Sequence, residues 1–327
     1  MVKSRLKITF IVWAPYQRRA EILAEQVGAS IHFIYHRRTN RLLGTTVAYA
    51  MQALRTWRVL RQECPDVIFV ENPPIFGALV VSLYAQRYRA RYVIDSHTGA
   101  FLSRKWRWSV GLHRLLSKGA LATIVHNTSQ EKIVKEWGCR YLVIGFTPGN
   151  YPPGEDFALD GQFNVAVVSS FNKDEPIDLV FEAAALLPEV SFYVTGDCAH
   201  IPQPLLPRKP ENCHLTGYLS YERYVGLLRG VDAIMALTVY DHTLLMGAFE
   251  AVSVGTPLIV SDWPVLRDYF SQGTVHVPNS IEGICKGVCM ARREQMTLQQ
   301  EMLVLREQLE AEWVRRFAEL QQLIGEQ

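Results

Sequence analysis

Apolar residues recur along this chain in two rhythms. Short runs rich in Val, Ile, Leu and Phe occupy Lys7–Trp13, Ser30–Tyr35, Asp66–Val70, Arg91–Asp95, Ala122–His126 and Arg140–Ile144. Each has the length and flanking residues of a buried strand. Between them, Arg18–Val27, Thr46–Glu63, Ile75–Tyr88, Trp106–Lys118 and Ser129–Trp137 carry apolar residues at helical spacing, with Thr128 and Ser129 as N-cap candidates. Strands separated by helices of this length predict parallel pairing through right-handed crossovers, and hence a doubly wound sheet.

The stretch from Phe146 to Glu155 then breaks the alternation with three prolines and two glycines, which reads as an extended connection. The alternation restarts after it. Strands are expected at Phe163–Ser169, Ser191–Thr195, His214–Leu215, Ala233–Leu237, Pro257–Ser261 and Val275–Val277. Helices are expected at Pro176–Leu187, Tyr221–Arg229, Thr243–Val254 and Val265–Phe270, and the region from Ser280 onward is helical throughout. The same architecture twice predicts an α/β protein of two Rossmann-like doubly wound domains facing a cleft. The boundaries fall at 1–147, 148–162 for a linker, 163–290, and 291–327 for a helical tail.

Composition narrows the picture. With 49% hydrophobic and 20% charged residues the chain is expected to be folded, not disordered. The apolar stretch Gly77–Ala85 is too short to span a bilayer, and Ile8–Trp13 reads as a first strand in preference to a signal peptide. The cysteines (Cys64, Cys139, Cys198, Cys213, Cys285, Cys289) lack a pairing rhythm and are expected as reduced thiols. Cys285 and Cys289 alone make a poor zinc site. The small net charge of +2 hides a split. Residues 1–145 hold 22 Lys and Arg against 8 Asp and Glu, whereas the remainder holds 12 against 24. Such asymmetry points to a polyanionic partner for the first half. Arg37, Arg38, Arg41, Arg104, Lys105, Trp106, Arg107 and Trp108 form a basic, aromatic group. That composition suits a helix on an anionic membrane, with indoles among the headgroups. No nucleic-acid module accompanies it, so no nucleic-acid partner is expected.

The segment Leu237–Asp262 carries the most chemistry. A buried strand ends in the polar loop Tyr240–Thr243, and a helix starts there. Its first residues, Thr243, Leu244, Leu245, Met246 and Gly247, offer backbone N–H groups and a positive dipole end suited to a diphosphate. Glu250 lies inside that helix among apolar neighbours, and a buried carboxylate needs donors, which a ribose diol supplies. Gly255 and Pro257 then end the helix. In the first half, Asp95, His97 and Gly99 follow a strand at its carboxyl end, where open α/β sheets hold their ligands. Asp95 is placed to orient His97 or to act as a base. Asn72-Pro-Pro74 and Trp13-Ala-Pro-Tyr16 end neighbouring strands and are expected to shape the same region.

Glu250-Ala-Val-Ser-Val-Gly-Thr-Pro257 resembles the donor-binding motif of glycosyltransferase family 4 and its relatives with the GT-B fold. The resemblance implies that Glu250 holds the ribose and that the loop before its helix holds the diphosphate and sugar. The family's other Glu, ahead of the ribose-binding one, falls on His242, so either Asp241 or His242 is left to contact the sugar. The resemblance further makes Lys173, with Ser170 and Asn172 beside it, the basic loop that meets the diphosphate. It sets the nucleobase against the loop at Tyr218 and Leu219, with Gly196 allowing close backbone approach, and makes His97 a cleft-facing residue that contacts donor sugar or acceptor.

The function expected from these readings is glycosyl transfer from a nucleoside-diphosphate sugar, UDP-linked by preference, to an acceptor hydroxyl. Asp95, His97 and Asp241 are the catalytic candidates, and the anomeric configuration is expected to be retained. The acceptor is expected to be a lipid-linked or glycan precursor, as in polysaccharide biosynthesis, met by a peripheral enzyme on the cytoplasmic face of a membrane. No cofactor or obligatory metal is expected. The competing readings are a sugar-nucleotide epimerase of the same fold and a non-catalytic binding subunit. A dinucleotide oxidoreductase is disfavoured, because neither half carries G-x-G-x-x-G after its first strand.

Overall fold

Both alternating halves fold as parallel sheets in a computed structural model, which describes residues 6–36, 42–149 and 151–325. Arg37, Arg38 and Arg41 of the expected basic group lie outside the described residues. The chain divides into two compact units, Met1–Thr147 with Glu312–Gln327, and Pro148–Ala311.

The first unit runs β1 (Ile8–Val12), α1 (Arg18–Val27), β2 (Ser30–Phe33), α2 (Leu42–Glu63), β3 (Val67–Asn72), α3 (Ile75–Tyr88), β4 (Arg91–Ser96), α4 (Thr98–Leu102), α5 (Val110–Gly119), β5 (Ala122–Val125), α6 (Thr128–Glu136) and β6 (Tyr141–Val143). The strands pair in parallel in the order β2-β1-β3-β4-β5-β6. Every residue of β3 is buried, the signature of a strand covered on both faces by crossover helices. Strand order reverses between β1 and β3, so the loops beyond their carboxyl ends border the position where such sheets bind ligands.

The second unit runs β7 (Phe163–Val167), α7 (Ile177–Ala185), β8 (Val190–Thr195), β9 (Cys213–Gly217), α8 (Tyr221–Gly230), β10 (Ala233–Ala236), α9 (Met246–Val254), β11 (Leu258–Ser261), α10 (Pro264–Tyr269), β12 (Thr274–Val277), α11 (Ile281–Arg293) and α12 (Gln295–Gly325). Its order is β12-β11-β10-β7-β8-β9, all parallel, with the reversal between β7 and β10. The long α12 leaves this unit at Ala311, and its remainder groups with the first. No helix among the described residues is long and apolar enough to cross a membrane.

All the expected strands form, with ends shifted by a residue or two. Helix starts moved further, and each shift has a local cause. The helix expected from Trp106 opens as a 3-10 turn at Arg107–Ser109, because the Ser109 hydroxyl donates to the Trp106 carbonyl (2.8 Å) and competes with the helical ladder. The cap of α6 is Asn127, not Thr128 or Ser129; its side chain accepts from the Gln130 N–H (3.0 Å). After β4 the chain enters the short helix α4 at Thr98, with His97 at its N-cap position.

The expected linker packs tightly within the second unit. Gly154, in the left-handed region at φ 82°, lies against Gly226 of α8, and a Cβ on Gly226 would meet the Glu155 carbonyl oxygen at 1.7 Å. Only a bare backbone at both positions permits that approach. Gly226→Ala is therefore expected to lower stability by roughly 1–3 kcal/mol through overpacking. Gly111→Ala, at a helical position with open space around it, is expected to be neutral or slightly stabilising. Urea unfolding of the two variants checks both; equal midpoints would show that the connector is not held against α8.

Candidate functional site

In the second unit, the loops after β7 and β10 meet at the strand-order reversal, and Thr238 ties them together. Its hydroxyl donates to Asp174 Oδ2 (3.0 Å), and its N–H donates to Ser261 Oγ (2.9 Å). Its carbonyl accepts from Trp263 Nε1 and Asn279 Nδ2, both at 2.8 Å. The loop after β7 has its own internal anchor in Glu175. The Ser169 hydroxyl (2.6 Å) and the N–H groups of Ser170 (2.9 Å) and Asn172 (3.2 Å) all donate to Glu175 Oε2. The main chains of Ser170 and Asn172 are thus engaged with a carboxylate of the protein itself, whereas Lys173 is exposed. Gly196, at the end of β8, lets the chain pass over this loop, since a Cβ there would meet the Ser169 carbonyl oxygen at 2.5 Å.

Helix α9 begins at Met246, not at Thr243, because Leu245 is extended and the polar residues ahead of it form a turn. Thr243 and Leu244 therefore belong to the loop. No side chain caps the start of α9, which presses against the end of β7; a Cβ on Gly247 would meet Val168 at 2.8 Å. Glu250, 9% exposed, accepts a hydrogen bond at Oε2 from the Tyr224 hydroxyl of α8 (2.5 Å). Burial first, and then the Glu250 carboxylate, push the Tyr224 phenol well above its usual range. Asp241 and His242 pair with each other on the loop (Oδ1 to Nδ1, 2.6 Å), and the His242 ring stacks on Tyr240. At the end of β9, Tyr218 is 89% exposed and Leu219 half-buried.

In the first unit, parallel register sets Glu71 of β3 beside Asp95 of β4 at the carboxyl ends of both strands. Asp95 is fully buried. His126 Nε2 lies 2.9 Å from its Oδ1, and Arg19 Nε lies 3.7 Å from its Oδ2. His97 Nε2 stands 3.8 Å from both Asp95 Oδ2 and Glu71 Oε1, with its ring edge-on to His126. Arg19 reaches this group from α1 and is fixed by the carbonyls of Ile144 and Gly145 and by the Thr147 hydroxyl.

Burial sets the electrostatics of this cluster. It raises the Glu71 carboxyl to about 8, helped by the neighbouring Asp95 and opposed by Arg19. Burial also pushes Asp95 upward, but Arg19 and His126 outweigh it and hold that carboxyl well below the usual range. Burial and His126 lower His97 to about 3, and burial with Arg19 lowers His126. Near neutrality the group comprises a protonated Glu71, an ionised Asp95, two neutral imidazoles and a guanidinium. Arg19 Nε, Glu71 Oε2, Asn72 Nδ2, Asp95 Oδ2 and His97 Nε2 are all buried without a hydrogen-bond partner. Buried polar atoms are usually hydrogen-bonded, so this concentration sets the cluster apart from the rest of the sheet. Asp95, His97 and His126 each present one potential ligand atom within 4.8 Å of the others. The guanidinium already beside Asp95 argues against a further cation there.

Sequence reasoning placed Asp95 and His97 here but missed Glu71, Arg19 and His126. A glutamate closing the apolar run of β3 and a histidine closing β5 were available signals. Arg19 sits in a helix that reads as a solvated face. The basic group also needs correction. Trp106, expected at the lipid headgroups, is 7% exposed and packs on Tyr49 and Phe76, whereas Trp108 is 63% exposed. Arg104, Lys105 and Arg107 are exposed. An unexpected apolar stripe, Val47, Met51 and Leu54, is exposed along α2, with Arg55 and Arg58 also exposed on that helix.

Residues 177–322 match a family model described as glycosyl transferase-like. No curated protein matches the chain. Among solved structures, it is similar to the sucrose-phosphate synthase of Thermosynechococcus elongatus, at a TM-score of 0.75 and 12% identity over 98% of each chain. It is also similar to Anabaena HepE solved with UDP-glucose, at 0.71 and 13% over 97% of this chain and 100% of that one. A putative UDP-N-acetylglucosamine 2-epimerase from Listeria monocytogenes aligns at 0.60 and 12%, over 92% and 91%. At such identities the likeness is one of fold, and it agrees with the twin sheets expected from the sequence. Residues 177–322 thus match a glycosyl transferase-like domain, and the two parallel sheets of the chain have the GT-B fold.

Proposed function

We propose that this chain transfers a glycosyl group from a nucleoside-diphosphate sugar, UDP-linked by preference, to an acceptor hydroxyl with retention of configuration. The observation that carries the reading is Glu250. It is a buried carboxylate oriented by Tyr224, on a helix whose start is uncapped and pressed against the strand-order reversal. A ribose diol donates to such a carboxylate, and the start of α9 faces a diphosphate with its positive dipole end. Lys173 adds a flexible cation. Thr243, Leu244, Leu245, Met246 and Gly247 line the approach to the phosphates, and Asp241 and His242 meet the sugar. As the acceptor oxygen bonds to the anomeric carbon, the bond to the diphosphate breaks with its electron pair. The helix start and Lys173 stabilise the departing charge. Asp95 and His97 arrange the acceptor side. HepE, of the same fold, was solved with UDP-glucose, which supports the choice of donor.

The acceptor in this proposal is a lipid-linked or glycan precursor at the cytoplasmic face of a membrane, and the enzyme is peripheral there. The excess of 22 basic over 8 acidic residues in 1–145 supports this, as do exposed Arg104, Lys105, Arg107 and Trp108 and the apolar stripe of α2. Turnover of UDP-glucose and UDP-N-acetylglucosamine against lipid-linked and oligosaccharide acceptors tests the reading. Interconversion of the free donor without transfer would replace it with epimerisation, and binding without turnover with a non-catalytic role.

Glu250→Ala is expected to weaken UDP-glucose binding by about 1.5–3 kcal/mol, since a charge-assisted hydrogen bond loses its acceptor. Tyr224→Phe, which only loosens the carboxylate, should have a smaller effect. Calorimetry on folded variants checks this, and an unchanged affinity in Glu250→Ala would remove the ribose assignment.

Binding to anionic phospholipid vesicles should be strong at low salt and fade as added salt shortens the Debye length below about 8 Å. Each basic residue at the surface contributes about 1 kcal/mol. Replacing Arg104, Lys105 and Arg107 by Gln should weaken binding, as should Met51→Ser with Leu54→Ser, while leaving UDP-glucose affinity intact. Sedimentation indifferent to lipid charge, salt and these substitutions would move the acceptor into solution.

A further inference from the structure

Two neighbouring acids, Asp174 and Glu175, follow Lys173 in the loop after β7. Free carboxylates beside that lysine would oppose its pull on a diphosphate, but both are engaged with groups of the protein. Glu175 Oε2 accepts from the Ser169 hydroxyl (2.6 Å) and from the N–H groups of Ser170 (2.9 Å) and Asn172 (3.2 Å). Ser169 Oγ in turn accepts from the Phe171 N–H (2.9 Å), so the main chain of 170–172 wraps around one carboxylate oxygen. That wrapping holds Phe171 in the left-handed region at φ 55°, a strained conformation for a bulky residue, while its ring is seated in the core. Asp174 makes the second anchor. Its Oδ2 accepts from the Thr238 hydroxyl (3.0 Å) and its carbonyl from the Val239 N–H (2.8 Å), both in the loop after β10 that leads into α9. Between the anchors the Glu175 N–H donates to the Asn172 carbonyl (3.0 Å) and closes a turn with Lys173 and Asp174 at its centre. Lys173 is exposed on that turn.

We propose that Asp174 and Glu175 are positioning residues for Lys173. They fix the turn that carries it to the loop before α9, so that its ammonium meets the donor's phosphates from a set direction. This rests on the donor reading above and lies wholly within the second unit. Lysine is a point charge on a flexible stem, and its main chain decides where that charge can reach. A charge in place before the leaving group departs stabilises it without reorganisation. Neither acid touches the donor; both act through Lys173. Glu175 sets the shape of the turn, and Asp174 sets its attachment to the segment that opens α9.

Binding of UDP and of uridine, measured by calorimetry and ligand-observed NMR, tests this. The wild type should bind UDP more tightly than uridine. Lys173→Ala should weaken UDP by about tenfold or more, the loss of one charge-assisted contact, with uridine unchanged. Glu175→Ala should lose most of the same factor, for UDP alone. Glu175→Asp keeps the charge but not the reach and should behave like Glu175→Ala. Glu175→Gln keeps an acceptor of the same reach and should restore most of the affinity. In the Lys173→Ala background, Glu175→Ala should weaken UDP no further. Thr238→Val releases the Asp174 anchor from the other loop without altering residues 169–175, and should weaken UDP but not uridine. Losses in uridine binding as large as those in UDP, or a Glu175→Ala loss that persists without Lys173, would show a merely structural role and overturn the proposal. So would tighter UDP binding in Glu175→Gln, which would mark the carboxylate as a repelling charge. Lys173→Ala with full UDP affinity overturns the positioning and leaves the nucleotide reading standing. A wild type that binds neither UDP nor uridine overturns both.

Discussion

A carboxylate taken wholly or partly out of water must find partners inside the protein, and this chain meets that demand repeatedly. Asp95 finds the His126 ring and, at 3.7 Å, the charge of Arg19, Glu250 finds Tyr224, Glu175 finds the loop N–H groups after β7, and Asp174 finds Thr238. Each pairing fixes a loop or helix start that the sheet alone would leave free. Glu71 is the exception. Arg19 is spent on Asp95, so Glu71 meets the same demand by retaining its proton. The two neighbouring acids thereby end in opposite ionisation states, one held by nearby positive charge and the other by burial.

The elements were legible in the sequence because burial on both sheet faces leaves continuous apolar runs, and crossover helices leave period 3.6 between them. Helix starts were less legible. Whether Asn127 or Thr128 caps α6 depends on which side chain meets the Gln130 N–H, and composition does not decide that. The segment from Glu250 to Gly255 stood out in the sequence, but Tyr224 did not, because its link to Glu250 joins two different helices. The indoles divided for a similar reason. Trp106 and Trp108 differ by their place in a 3-10 turn, which sends one into the aromatic cluster and leaves the other outside.

Structural likeness at 12% identity over 98% of both chains shows how little of the fold depends on particular side chains. What the two share is the arrangement of strands and helices; in this chain glycines permit close approach within it, such as Gly196 over Ser169 and Gly247 against Val168. His242, at the position where the sequence resemblance leads one to expect an acid, pairs with the neighbouring Asp241 at 2.6 Å.

The hydrogen bonds that converge on Thr238 have a thermodynamic consequence. A loop held only at its ends samples many shapes, and a ligand that selects one of them loses affinity to the entropy it removes. Thr238 divides the loop after β10 by fastening its root to Asp174, Ser261, Trp263 and Asn279. The next two residues are tied as well, the Val239 N–H to the Asp174 carbonyl at 2.8 Å and the Tyr240 N–H to Thr238 Oγ1 at 3.2 Å. Much of the entropic cost of ordering this loop is therefore met during folding, before any ligand arrives.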